Sequence, residues 1–310
     1  MGEAAFLAVD WGTTNRRVYA IDADGTVVAT ERDDRGVLAI APGEFAVELA
    51  GIRARFGDKP VLCAGMVGSV RGWVAVPYLR CPADLGALAR ALHWVEPGVA
   101  IVPGLSIVEG GAADVNRGDV NRGAVQRGDV MRGEEVQLLG SVPAGLAPPD
   151  ALLCQPGTHC KWAWIANGRV ARFRTTMTGE MFALLRGHSL LADFLKGEVA
   201  DGVAFREGIA AAGDAALLTR LFGVRADALL GLRGHDEAAA YVSGLLIGTD
   251  VREQALAPGQ AVHVLADPAL GGLYAAAIEL AGGRAVPVDS QAAFVAGITA
   301  IWRVADAPKP

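Results

Sequence analysis

The sequence predicts an α/β protein built from two similar domains, and three observations support this. The chain of 310 residues is longer than one small hydrophobic core needs. Its composition, 52% hydrophobic and 20% charged, is typical of a well-packed globular protein. One unit of a strand, a glycine-containing turn and two further strands occurs twice, about half a chain apart.

The first copy of this unit lies near the N-terminus. An apolar run at 5–9 ends at Asp10 and is followed by turn-forming residues at 12–15, which predicts a strand and a hairpin turn. Apolar residues at 18–21 and 26–29 predict the next two antiparallel strands.

The second copy lies at mid-chain. Residues 151–154 and 162–165 predict two strands joined by a turn at 156–159. Asn167-Gly168 is a strong hairpin signal before a third strand at 170–173. Because both copies have a Gly-Thr turn, the backbone N–H groups of both turns are candidates for binding phosphate.

The C-terminal part continues with helices and strands in alternation. A helix is predicted at 236–257. The predicted order after it is a strand, a turn, a helix and a strand, at 262–266, 267–272, 273–280 and 285–288. In such βαβ units small molecules bind at the carboxyl ends of the strands.

A tandem array with a five-residue period occupies 114–133, and each of its copies ends in Arg-Gly. This period is too short for a solenoid repeat. The array therefore predicts a surface loop at 110–133 that was expanded by duplication. The alternative is that its arginines, above all Arg132 in the final copy, contact a ligand.

Composition excludes several function classes. The net charge of −6 argues against a nucleic-acid partner. The chain has no apolar run long enough for a membrane span, and its four cysteines form no CxxC pair, which predicts reduced thiols in a cytoplasmic protein. Monomer and homodimer both stay open.

Three motifs carry a resemblance to known enzymes. Residues 10–15 (DWGTTN) and 156–162 (PGTHCKW) resemble the two phosphate motifs of the sugar-kinase, hexokinase and actin superfamily. Residues 133–140 (GEEVQLLG) resemble the segment that carries the catalytic carboxylate in glycerol-kinase-like enzymes. Further motifs resemble the 2-dehydro-3-deoxygalactonokinase family, at 64–69, 72–73, 77–79, 173–175, 177–180, 188–190 and 243–248.

The resemblance implies two ribonuclease-H-like domains of the actin/hexokinase type flanking a central ATP cleft. Residues 1–145 would bind the sugar acid and phosphate, and residues 146–310 the nucleotide, with a last helix at 290–303 packing back on the first domain. The implied reaction is ATP-dependent phosphorylation of the terminal (6-) hydroxyl of 2-dehydro-3-deoxy-D-galactonate, with Mg²⁺.

The resemblance also implies roles for single residues. Glu134 is the expected general base, although Glu135 stays open; Asp10 would hold Mg²⁺ and Lys161 would offset phosphate charge. The expected nucleotide-binding residues are Gly12, Thr13, Thr14, Asn15, Arg16, Gly157, Thr158, His159, Gly244, Ala266 and Gly271. The expected substrate-binding residues are Ser69, Trp73, Tyr78, Arg132, Arg174 and Thr175. The arginine that binds the substrate carboxylate stays open, with Arg71, Arg80 and Arg174 as candidates.

Three alternatives remain at this point. A phosphohydrolase of the same superfamily, similar to an exopolyphosphatase, would position water instead of a sugar hydroxyl. A kinase specific for 2-keto-3-deoxygluconate would differ only in stereochemistry. A sugar sensor without catalytic activity is disfavoured, because no basic helix-turn-helix segment precedes Asp10.

Overall fold

The computed structural model describes residues 3–109, 127–214, 216–232 and 234–306. Most of the pentapeptide array, up to residue 126, therefore lies outside the described residues. No helix within them is long and apolar enough to cross a membrane.

The secondary structure alternates between strands and helices along the chain. The strands are β1 Phe6–Trp11, β2 Arg16–Ile21, β3 Val27–Asp33, β4 Val61–Gly65, β5 Leu79–Arg80, β6 His93–Glu96, β7 Val99–Ile101, β8 Leu105–Glu109, β9 Arg127–Met131, β10 Ala151–Gln155, β11 Cys160–Ala166, β12 Arg169–Thr176, β13 Ala261–Leu265 and β14 Arg284–Val288. The α-helices are α1 Phe45–Phe56, α2 Leu85–Arg90, α3 Glu135–Gly140, α4 Thr178–His188, α5 Val203–Ala211, α6 Leu217–Leu229, α7 His235–Arg252, α8 Pro268–Leu280 and α9 Ser290–Asp306.

The chain divides into two compact units. The first comprises Met1–Asp150, Ala163–Phe173 and Ser290–Pro310, and the second comprises Ala151–Trp162 and Arg174–Asp289. The α9 helix thus belongs to the first unit.

The two large sheets repeat one strand order. In one sheet the order is β3-β2-β1-β4-β7-β6, and in the other it is β12-β11-β10-β13-β14. In each, the first strand of a three-strand meander also pairs in parallel with a later strand, β4 or β13. The predicted class, α/β with two ribonuclease-H-like domains, is confirmed.

Alternation along β1 decides which side chains reach the core. Leu7, Val9 and Trp11 join the hydrophobic core with the buried face of α1. Phe6 lies on the opposite face of the strand, where its ring stacks on Trp302 of α9 at 4.9 Å. Asp10 belongs to this second face.

Close helix packing fixes the start of α3. A Cβ on Gly140 of α3 would overlap the Ala293 carbonyl of α9, and a Cβ on Gly297 of α9 would overlap the Val136 carbonyl of α3. The two backbones therefore touch, and the position of Glu134, which immediately precedes α3, follows from this contact.

Three sequence predictions need correction. The final repeat of the array is not loop, because β9 pairs antiparallel with β8 from Arg127 opposite Glu109 to Met131 opposite Leu105. The helix predicted at 236–257 ends at Arg252. The turn predicted at 267–272 is mostly the first turn of α8, because the Asp267 carboxylate caps this helix and Pro268 occupies its first position.

Candidate active site

The first Gly-Thr turn, Gly12–Asn15, joins β1 to β2 and has exposed Thr13 and Thr14 side chains. The carbonyl oxygens of Gly12, Thr13 and Thr14 accept hydrogen bonds of 3.0 to 3.2 Å from the backbone of residues 36–38. Carbonyl oxygens repel anions, whereas N–H groups attract them. Because hydrogen bonds to residues 36–38 already occupy the carbonyl oxygens of this turn, its geometry suits phosphate binding.

Gly36 makes this arrangement possible, and sequence analysis missed it. A Cβ on Gly36 would overlap the backbone of Thr13 and Thr14. Nothing in the local pattern distinguishes Gly36, because the contact joins segments that are separated by two strands, β2 and β3. Asn15 stays at the turn, where its Nδ2 donates to Thr14 Oγ1 at 3.0 Å.

Asp10 stands at the end of β1, directly before this turn. Its side chain is only 18% exposed, with the Arg17 guanidinium 4.0 Å away. Burial raises the pKa of Asp10 to about 6, and the negative charge of Glu134 adds to the effect against the opposing charge of Arg17. The structure thus brings together two carboxylates that the sequence separates by most of the first unit.

Glu134 and Glu135 have different environments. Glu134 is partly exposed and its Oε2 accepts a hydrogen bond from the Arg132 N–H at 3.1 Å. Glu135 is fully buried, its Oε2 accepts from the Gly133 N–H at 2.7 Å, and its pKa is raised to about 8, first by burial and then by the charge of Glu134. Of the two, Glu134 is the one accessible to a substrate.

Arg16 was expected to bind the nucleotide, but its side chain is buried and paired within the first unit. Arg16 is 2% exposed, and its guanidinium donates to Asp33 at 2.6 and 3.2 Å and to Glu48 at 3.1 Å. It also lies 5.1 Å from the ring of Trp11. Its charge is therefore neutralised inside the first unit. The sequence could not reveal this, because Asp33 and Glu48 come from β3 and α1.

A cavity of about 310 Å³ in the first unit brings together three predicted substrate residues, Ser69, Tyr78 and Arg132, with Arg71 beside them. This volume lies in the range of small-molecule sites. Trp73 does not line it: its ring packs on the core, stacked at 6.3 Å on Phe45. The structure therefore does not bring Trp73 to this cavity, and its expected contact with the substrate stays a prediction.

The second Gly-Thr turn is built like the first. Gly157 and Thr158 are exposed, and the Thr158 carbonyl accepts a hydrogen bond from the Glu180 N–H at 2.9 Å. Gly179 backs this turn, because a Cβ there would overlap the Gly157 carbonyl. His159 bonds through Nε2 to the Glu180 carboxylate at 2.6 Å.

Two further features lie in strand β11 and around it. Lys161 is 4% exposed. The next residue, Trp162, donates through Nε1 to the buried Asp250 at 2.8 Å, and Thr178 and Tyr274 donate hydroxyl hydrogens to the same carboxylate at 2.8 Å. Sequence analysis missed Asp250. Its only signal is an acidic residue within the otherwise apolar and small residues of α7.

Gly244 has a structural explanation. A Cβ on Gly244 of α7 would overlap the Phe205 carbonyl of α5, and one on Gly248 would meet Ile209 Cα at 2.8 Å. Close packing of α5 on α7 therefore requires both glycines, and the expected contact of Gly244 with the nucleotide stays a prediction.

The remaining predicted residues lie at strand ends of the second unit. Ala266 follows β13, and a Cβ on Gly271, in the first turn of α8, would lie 3.5 Å from the Ala266 Cβ. Arg174 and Thr175 lie at the end of β12, where Arg174 Nη1 donates to the Glu253 carbonyl at 3.2 Å. Their roles stay predictions.

The residues near the first turn fit a magnesium ion that is held by one carboxylate and keeps most of its water ligands. Within the described residues no three His, Cys, Asp or Glu side chains are grouped so that they could hold a metal. Asp10 is a single carboxylate, destabilised in its charged form by burial and by Glu134. A cation there would relieve that cost, and Mg²⁺ takes few protein carboxylates and keeps its waters.

Comparison with known proteins agrees with this geometry. The sequence model of one family, described as 2-keto-3-deoxy-galactonokinase, matches residues 10–301. The chain belongs to this family. It is therefore an enzyme, a carbohydrate kinase, as its motifs predicted.

Individual relatives agree over the whole chain. The 2-dehydro-3-deoxygalactonokinase of Escherichia coli K12 is 34% identical over 303 residues, which cover 96% of this chain and 97% of the relative. A Rhizobium meliloti protein assigned to the same activity, DgoK1, is 35% identical over 315 residues, or 96% of both chains. A crystal structure from Sinorhizobium meliloti with the same assignment has a TM-score of 0.85 and 32% identity, and covers 98% of this chain and all of its own.

Proposed function

We propose that the protein transfers the γ-phosphoryl group of ATP to the 6-hydroxyl of 2-dehydro-3-deoxy-D-galactonate, with Glu134 as general base. The observation that carries this proposal is the position of Glu134 at the end of β1: a Cβ on the preceding Gly133 would lie 3.2 Å from Gly65 Cα, and Gly65 pairs with Trp11, next to Asp10. Phosphoryl transfer needs an acceptor for the hydroxyl proton, which Glu134 can supply, and positive charge around the phosphates, which a Mg²⁺ ion held by Asp10 would supply.

Each residue has one task in this proposal. Glu134 accepts the proton of the attacking hydroxyl. The backbone N–H groups of Thr13, Thr14, Gly157 and Thr158 bind phosphate oxygens, and so do the hydroxyls of the three threonines. Lys161 offsets charge on the transferred group. Asp10 holds Mg²⁺ through water, and the ion, when bound, neutralises phosphate charge.

The setting of the enzyme follows from its composition. Free cysteines fit the reducing cytoplasm, and the net charge of −6 leaves the small acid, rather than nucleic acid, as its partner. The mass in solution decides between monomer and homodimer.

The test is ADP release from ATP and Mg²⁺ with 2-dehydro-3-deoxy-D-galactonate, with the gluconate isomer, and without acceptor. We expect the galactonate to give the highest kcat/KM and the acceptor-free rate to be a small fraction of it. Preference for the gluconate isomer would reassign the substrate. An equal rate without acceptor would make the protein a phosphohydrolase.

A further inference from the structure

The guanidinium of Arg132 is buried with hydrogen-bond donors left over. Arg132 is 9% exposed, and its Nη2 donates to the Val76 carbonyl at 2.6 Å. Its Nε and Nη1 are buried and have no acceptor within the described residues. A buried cation with unused donors is unfavourable unless an anion completes it.

Two glycines make room for this cation in the cavity of the first unit. A Cβ on Gly68 would lie 2.8 Å from Arg132 Nη1. A Cβ on Gly104 would lie 2.8 Å from the ring of Tyr78, which covers the guanidinium at 4.3 Å. Tyr78 is itself 43% exposed, so the cavity is lined by a fixed cation and by the ring stacked on it, which borders solvent.

We propose that Arg132 binds the carboxylate end of the sugar acid in this cavity, through Nε and Nη1. This inference rests on the proposed function and adds to it the group that selects an acid over a neutral sugar. The three hydrogens on Nε and Nη1 match the acceptors that a carboxylate and its neighbouring ketone present.

The surroundings favour a carboxylate over a nucleotide phosphate. Met66, Ala75 and Val76 contribute apolar atoms to the lining. Burying a multiply charged phosphate against apolar atoms costs more free energy than burying a singly charged carboxylate. The Arg132 backbone also donates to Glu134, so one hydrogen bond ties the proposed acid-binding residue to the proposed base. The acid would thus be held at one end while its far hydroxyl meets Glu134.

The test compares the acid with the matching 3-deoxy-2-ketohexose, in which a hydroxymethyl group replaces the carboxylate. In the wild type we expect the acid to have the lower KM. Arg132→Gln is expected to raise the KM for the acid about 10- to 100-fold and to abolish this preference, with the KM for ATP within twofold. The control is Arg90→Gln, which removes an exposed arginine at the end of α2 and is expected to keep the preference.

Two further variants guard against misfolding. Gly68→Ala keeps the charge but displaces Nη1, and Arg132→Lys keeps the charge but loses the planar donors. Both are expected to raise the KM for the acid, with the melting temperature showing that the fold is intact. Pyruvate, which carries the same 2-keto acid group, is expected to compete with the acid in the wild type and not in these variants.

The outcomes separate this inference from the proposed function. If a folded Arg132→Gln protein retains the preference for the acid, or loses affinity for ATP instead, the inference fails while the kinase stands. If the wild type phosphorylates no acid, both fail.

Discussion

The two Gly-Thr turns align without a gap from Asp10 with Gln155 to Arg16 with Lys161, yet they differ where chemistry requires it. Both expose a threonine, Thr13 or Thr158, and a glycine backs each turn closely, Gly36 in the first unit and Gly179 in the second. The first turn, however, follows a carboxylate, and the second follows a neutral amide. We infer that both turns bind phosphate and that only the first needs the carboxylate that precedes it.

The acidic residues near the two turns, Asp10 and Asp250, also differ in their surroundings. Asp250 in the second unit receives three hydrogen bonds of 2.8 Å from neutral donors, which satisfy its buried carboxylate oxygens. Asp10 in the first unit has Arg17 at 4.0 Å and a raised pKa. Asp250 thus stabilises its unit, whereas burial of the charged Asp10 carboxylate destabilises the fold. A destabilised ionisable group is typical of functional sites.

The largest effect is expected at the proposed base. Glu134→Gln removes proton acceptance at nearly constant shape, so kcat should fall about 10²- to 10⁴-fold with little change in the KM for ATP. The matched variant is Glu135→Gln, whose buried group is expected to lower kcat less than about tenfold. Steady-state kinetics of both variants decide the assignment, and a reversed order would transfer the role to Glu135.

The next effect compares the two turns directly. Asp10→Asn gives the first turn the amide chemistry of the second, and we expect a loss of about 10²- to 10³-fold in kcat/KM at fixed Mg²⁺, partly restored by raising Mg²⁺. Gln155→Asn at the aligned position should change kcat/KM by less than about tenfold. Similar losses in both variants would mean that the turns share the catalytic role.

Much of this comparison was predictable from sequence, because it depends on local patterns. The strands and turns of both copies follow from apolar runs and Gly-Thr or Asn-Gly signals. The Asp267-Pro268 signal that starts α8 was also present, but the glycines at 271–272 obscured it.

Sequence patterns could not predict hydrogen-bond and ion-pair partners that come from distant segments of the chain. The pairing of Arg16 with Asp33 and Glu48 joins three elements, and the donors to Asp250 come from β11, α4 and α8. The β9 strand shows the same limit: its repeat reads as a loop until β8 supplies the partner.

The stability of the second unit should depend on its satisfied acid. Asp250→Ala leaves the donors of Trp162, Thr178 and Tyr274 buried without an acceptor, which should lower the free energy of unfolding by about 3 kcal/mol. Asp236→Ala, an exposed residue at the start of the same helix, is the control and should cost no more than about 0.5 kcal/mol. Urea denaturation measures both, and equal small losses would contradict the comparison.

The smallest effect is the pH dependence of stability in the first unit. The pKa of Asp10 is raised from 3.8 to about 6, so the folded state holds a proton that the unfolded state releases, and stability falls as the pH rises between these values. The resulting cost above pH 6 is about 1–3 kcal/mol. Asp10→Asn lacks this titration, so its melting temperature relative to the wild type should increase from pH 4 to pH 6 and then level off.

Glu135 provides the internal control for this last prediction. Its pKa is raised from 4.5 to about 8, so the relative melting temperature of Glu135→Gln should keep increasing beyond pH 6 and level off only near pH 8. Thermal denaturation of the wild type and both variants, at pH values from 4 to 9, separates the two curves. If the Asp10→Asn curve is flat throughout, the Asp10 carboxylate is not destabilised in the folded protein, and the contrast with Asp250 fails.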